Sequence, residues 1–239
     1  MTMFDEKEIL KGLLNKLESL GWRKIDACSS EDVHKSFIIK SILEEKIKEL
    51  NKEEFKKREF NDEEIKNIIE KAIKKLENSE PYEILEYLRG IDYKLSVDEK
   101  GKNIKLKLID YENLENNSFN FCTEVEFHEG PYTIKPDVVL YINGIPIVII
   151  EVKNPLRLGE KTISEGVNQL LRYERECHRL FKYVQLGIVY GDDENSVYMP
   201  MYSEWRGKIR SASKWREEGE NYNRYNIIDL LKRERILDI

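Results

Sequence analysis

Two acids and a lysine, Asp137, Glu151 and Lys153, are set in KPDVVLYINGIPIVIIEVKNP, a stretch otherwise built for burial. Val138, Val139, Leu140 and Ile142, then Ile145, Ile147, Val148, Ile149 and Ile150, read as two β-branched-rich strands around an Asn143-Gly144 turn. Near-continuous apolar strands belong at a sheet centre covered on both faces. Ionised groups at the ends of such strands are costly to desolvate unless something compensates them. A divalent cation would compensate the acids. Hard oxygen donors with no His or Cys nearby favour Mg²⁺ or Mn²⁺ over zinc. A cation so held polarises a phosphodiester and lowers the pKa of a bound water. Glu151 and Lys153 are two apart and share a strand face. The lysine would then stand beside the metal water and stabilise developing charge. The Val152 carbonyl between them is a further candidate ligand. The plain alternative is an ion pair at a strand edge, because this spacing also recurs by chance.

Register decides whether the acids meet. A strict two-residue loop pairs Ile142 with Ile145, sets Pro136 opposite Glu151 and turns Asp137 to the other face. A three-residue loop with Gly144 at positive φ, or a bulge near either acid, puts Asp137 opposite Glu151. The sequence therefore predicts an odd loop or a bulge.

The elements that must carry this hairpin read as follows. Apolar residues recur with helical period from Glu6 to Leu20, ended by Gly21, and Trp22 to Ile25 suggests a short strand or turn. Helical periodicity returns from Val33 to Leu88, with charge runs such as Glu53 to Glu59 on solvated faces. After Gly90 the period becomes two. Ile91 to Val97 and Ile104 to Leu108 alternate about a loop at Asp98 to Asn103, and Phe119 to Phe127 gives a third strand. Beyond the hairpin, a helix is expected from Thr162 or Ser164, with Ser164 as cap, to about Leu180. Strands at Val184 to Tyr190 and Val197 to Met201 follow, then a helical tail from Ile227 to Leu237. The chain thus reads as one α/β unit over 1–239 with a mixed sheet. It divides into a mainly helical part (1–89), a sheet and helix core (90–201), and a basic segment with a final helix (202–239).

Composition narrows the partners. The 239 residues are 36% charged with a net charge of −6, so no global basic field announces nucleic acid. Local cations do occur. Arg206, Lys208, Arg210, Lys214 and Arg216 surround Trp205 and Trp215 and are candidates for phosphate binding, or a surface loop anchored by its indoles. Cys28, Cys122 and Cys177 form no CxxC and indicate neither a disulfide framework nor a zinc site, and the three histidines are scattered. No apolar run reaches membrane-spanning length and no signal peptide is evident, which predicts a soluble cytoplasmic protein without membrane contact.

Pro136-Asp137 and Glu151-x-Lys153 on consecutive strands resemble the PD-(D/E)xK nuclease superfamily. The blocks PDVVLYINGIPIVIIEVKNP, GVNQLLRYERE and LFKYVQLGIVYGD more specifically resemble the N-terminal nuclease domain of the restriction (R) subunit of Type I restriction-modification enzymes. The resemblance is strongest over residues 119 to 192. It implies a restriction-endonuclease-like core that cuts double-stranded DNA with Mg²⁺ or Mn²⁺, working with methyltransferase and specificity subunits. It implies that Asp137 and Glu151 hold the metal and that Lys153 acts on the nucleophile. The family's Q-x-x-x-Y motif falls on Gln169 and Tyr173, which share a helix face and would position DNA or the lysine. It also implies an acid in the first helix, for which Glu8 is the candidate. R subunits carry ATP-driven motor domains, but no G-x-x-x-x-G-K-[ST] loop occurs here. ATP use would then enter only through motor domains absent from this chain. A stand-alone nuclease of repair or recombination, and a catalytically silent DNA-binding or assembly module, are the competing readings.

Overall fold

The computed structural model describes residues 5–26, 28, 31–89, 95–154, 160–201, 211–216 and 225–238. In chain order they form α1 (Glu6–Ser19), β1 (Arg23–Lys24), α2 (Glu31–Ser36), α3 (Lys40–Leu50), α4 (Lys52–Lys57), α5 (Asp62–Asn78) and α6 (Pro81–Arg89). Then come β2 (Leu95–Glu99), β3 (Lys102–Leu106), β4 (Phe119–Thr123), β5 (Phe127–Glu129), β6 (Tyr132–Ile134), β7 (Val138–Ile142) and β8 (Ile145–Val152). The chain closes with α7 (Glu160–Glu176), β9 (Leu186–Tyr190), β10 (Val197–Pro200), α8 (Ile227–Leu230) and α9 (Arg233–Leu237).

The expected α/β core with a mixed central sheet is present. Six strands run in the order β1-β4-β7-β8-β9-β10, parallel at β1–β4 and β8–β9 and antiparallel elsewhere. Every residue of β7, β8 and β9 is buried, as apolar strands covered on both faces require. The first helix packs against β8, and α7 packs against β8 and β9. The helical elaboration stands on α5, whose Asn61–Glu64 capping box starts a face of Ile68, Ile69, Ala72, Ile73 and Leu76. That face lies against the β2–β3 hairpin and α3. No described helix is long and apolar enough to cross a membrane.

Several expected elements differ in their limits, each for a local reason. The Val33–Leu88 helical stretch is five helices, broken where Phe37 and Glu59 take positive φ and where Pro81 opens a new helix. Lys100 and Gly101 both take positive φ, so β2 and β3 meet through a two-residue turn and not a loop from Asp98 to Asn103. The Phe119–Phe127 strand is split at Glu124, also at positive φ, into β4 and β5. Helix α7 begins at Glu160, which makes Ser164 an interior residue and not the cap, and it ends at Glu176. The tail is two short helices, because Lys232 is extended. Cys28 and Cys122, which carry no spacing signal, are joined as a disulfide with Cα atoms 6.3 Å apart. Parallel pairing of β1 with β4 brings these distant positions together, while Cys177 is buried and free.

Candidate active site

The site is built on the β7–β8 hairpin. Ile142 pairs with Ile145 across Asn143-Gly144, both at positive φ, so the turn itself has two residues. Tyr141 then pairs with Pro146 but Leu140 pairs with Val148, leaving Ile147 as an extra residue on β8. Past this bulge Val138 faces Ile150, and the same register carries Asp137 opposite Glu151. The bulge expected from the chemistry is present. It is needed because β8 is apolar on both faces, so burial alone would accept either register.

The side chains converge closely. Asp137 Oδ2 accepts the Val152 N–H at 2.7 Å. In an extended strand the N–H and C=O of one residue point to the same neighbour, so the Val152 carbonyl also faces the Asp137 strand. Glu151 Oε1 accepts Lys153 Nζ at 3.0 Å and Gln169 Nε2 at 2.5 Å. Gln169 Oε1 accepts Lys153 Nζ at 2.9 Å, and its Nε2 also donates to Tyr173 Oη at 2.6 Å. Tyr173 in turn donates to the Lys135 carbonyl at 3.2 Å, just before Asp137 in the chain. Gln169 thus has each end of its amide assigned, bridging Lys153 and the Glu151 oxygen that the lysine also reaches. Gly166 makes this reach possible. A Cβ there would collide with Val189 Cγ1 and come within 3.3 Å of Lys153 Cγ, so only glycine lets α7 lie this close.

The electrostatics are those of a site short of positive charge. Glu151 is 3% exposed, and burial, then the neighbouring Asp137 charge, push its carboxyl up to about 7. Burial also raises Asp137, against the Val152 N–H and Lys153, which favour its ionised form. Glu151 Oε2 is buried and has no hydrogen-bond partner. An orphaned carboxylate oxygen beside a second carboxylate suits a hard cation. Among the described residues no group of three or more His, Cys, Asp and Glu side chains converges. The groups here that could hold a cation are the Asp137 and Glu151 carboxylates and the Val152 carbonyl, a set that would suit Mg²⁺, an ion that keeps several waters.

The family model described as Type I restriction enzyme R protein N terminus matches residues 3–203. The chain belongs to this family. It is 44% identical over 227 residues to a putative type I restriction enzyme MjaVIIIP endonuclease subunit of Methanocaldococcus jannaschii, covering 93% of this chain and 21% of that protein. It is 40% identical over 122 residues to the MjaVIIP endonuclease subunit of the same organism, covering 51% and 11%. The type I restriction enzyme HindI endonuclease subunit of Haemophilus influenzae is 26% identical over 204 residues, covering 78% and 18%. The chain thus spans about a fifth or less of the length of these relatives.

Within this R-protein N-terminal unit, the first-helix acid that approaches the site is Glu6 and not Glu8. Glu8 is exposed, whereas Glu6 Oε1 accepts the Asn154 N–H at 3.4 Å and its charge bears on Asp137. The helical period carries the signal for this. Glu6 falls on the same stripe as the fully buried Leu13 and Leu17, and Glu8 falls well off it. Arg206, Lys208 and Arg210 lie outside the described residues.

Proposed function

We propose that this chain is the nuclease part of a Type I restriction enzyme and hydrolyses phosphodiester bonds of double-stranded DNA with Mg²⁺ or Mn²⁺. The observation that carries the reading is the buried, unpartnered Glu151 Oε2, set beside Asp137 by the bulge at Ile147. When bound, the cation supplies Lewis-acid polarisation of the phosphoryl oxygen and a more acidic water. Asp137, Glu151 and the Val152 carbonyl would hold it, with the charge of Glu6 bearing on Asp137. Lys153 keeps its ammonium within reach of both Glu151 and Gln169, so a small rotation offers it to the charge that develops on the phosphate. Gln169 and Tyr173 restrict that rotation and fix the lysine's direction. Arg206, Lys208 and Arg210 are proposed to take DNA phosphates. Sequence choice is assigned to methyltransferase and specificity subunits, and any use of ATP to parts of the longer relatives that this chain does not contain.

Cleavage of supercoiled plasmid with Mg²⁺ or Mn²⁺ tests the proposal, comparing the chain with Lys153→Ala and Asp137→Ala. Nicking or linearisation lost in both variants is expected. Activity that survives in both would place the chemistry elsewhere.

A further inference from the structure

Asp193 stands where three parts of the molecule meet. Its Oδ1 accepts Lys16 Nζ at 2.5 Å and Tyr190 Oη at 2.9 Å, and its main-chain carbonyl accepts the Ile227 N–H at 2.9 Å. Lys16 belongs to the last turn of α1, Tyr190 ends β9, and Ile227 opens the C-terminal pair of helices. Two of these elements lead directly to the carboxylates. The Tyr190 carbonyl accepts the Lys153 N–H at 2.8 Å. The first helix carries Glu6, which accepts the Asn154 N–H and bears on Asp137.

The apolar contacts of α1 do not by themselves fix where Glu6 points. Only Leu13 and Leu17 are fully buried in this helix, and Ile9, Leu10 and Leu14 pack partly against the core. Apolar burial is non-directional, so it selects the face that α1 buries more firmly than the aim of a polar side chain at the helix's far end. Lys16 lies to one side of the buried stripe and about 15 Å along the axis from Glu6. A directional contact there adds a fixed point on the flank of the helix. The Lys16 and Asp193 side chains are 41% and 30% exposed, and pairs of that exposure add little to stability. What this pair supplies is aim.

We propose that Asp193, acting through Lys16 and Tyr190, is a positioning residue that sets α1, and so Glu6, against the strand carrying Glu151 and Lys153. Its effect on cleavage rests on the nuclease reading above, whereas its effect on geometry does not. Hydrogen exchange at the Lys153 and Asn154 amides reads the geometry directly. It is measured on the whole chain and on Lys16→Met, Asp193→Asn and Lys16→Arg. Both amides should exchange tenfold or more faster in Lys16→Met and Asp193→Asn, with Phe121 and Leu140 on the central strands unchanged and Lys16→Arg restoring protection. Plasmid cleavage should fall at least tenfold in kcat in the first two variants and recover in the third. Lys16→Met, a half-exposed position, carries the test if Asp193→Asn fails to fold. Equal exchange at Lys153 and Asn154 in Lys16→Met and wild type would overturn the proposal, as would a Lys16→Arg variant that behaves like Lys16→Met. Faster exchange in proteins that all, wild type included, leave DNA uncut would uphold the positioning role and remove the nuclease reading instead.

Discussion

At the residue scale, Glu151 concentrates the conflict between stability and activity. Its carboxyl is raised to about 7 in the folded chain, so the folded state prefers the neutral form. The sign follows from linkage. The stabilising preference is complete below the ordinary glutamate range and is lost as pH rises through about 7, at a cost of about 3 kcal/mol. Asp137, also raised, adds to the same trend. The metal-free protein should therefore melt at lower temperature at pH 8 than at pH 5, and Glu151→Gln should flatten that dependence while abolishing cleavage. Thermal melts of both proteins without divalent cation check this; an equally steep slope in Glu151→Gln would locate the titration elsewhere. Saturating Mn²⁺ should recover the loss at pH 8, because a cation bound only by the folded state stabilises it by mass action. Much of this residue-level picture was legible in the sequence, since charged residues at the ends of apolar strands signal chemistry. The aim of the first-helix acid was missed, although the periodic stripe through Leu13 and Leu17 already distinguished Glu6 from Glu8.

At the element scale, one surplus residue decides the site. Between the Ile142–Ile145 pair and the Val138–Ile150 pair, β8 has one residue more than β7, and that residue is Ile147. Deleting Ile147 should regularise the hairpin and leave Asp137 opposite Glu151, because only the surplus residue is removed and Leu140 still meets Val148. The expected result is a folded protein that keeps Mn²⁺ binding, read by circular dichroism and by metal titration. Lost Mn²⁺ affinity in a folded deletion variant would show that Ile147 does more than set the register of the two acids. The requirement for a bulge or odd loop could be derived from the sequence because two acids had to meet; which device and which residue could not, since Ile145, Ile147 and Ile149 offer equivalent side chains. Strand and helix limits failed for a related reason. Positive φ at Phe37, Glu59, Lys100 and Glu124 breaks elements at residue types that advertise no break. The β5–β6 hairpin was missed because its three-residue strands are too short for a period to register.

At the scale of the whole molecule, the turn after the first helix is packed against the last two helices. Trp22 Nε1 donates to the Leu231 carbonyl at 2.8 Å in a buried contact, and Ile227, Leu230, Leu231 and Ile236 enter the common core. Burying side chains of this size contributes about 1.5–3 kcal/mol each, which together rivals the whole stability of an ordinary domain. A chain stopped at Asn226 should therefore melt far lower than the full chain or fail to accumulate in soluble form; a melting temperature within a few degrees of the full chain would contradict this. Contacts of such range have no local signature, which is why the sequence showed a helical tail but not what it covers. The Asn143-Gly144 turn is an extreme case of the same long reach. Asn143 is fully buried, the Gly144 carbonyl accepts the Ile39 N–H at 2.9 Å, and a Cβ on Gly144 would press on the Ile39 carbonyl. During synthesis the helix that starts beside Ile39 leaves the ribosome about a hundred residues ahead of this partner, a lag of roughly 5–20 s at ordinary elongation rates. For that interval the Ile39–Leu43 end of α3 lacks the Gly144 turn it closes against, and the nascent chain offers that face to whatever cellular machinery attends unfinished proteins.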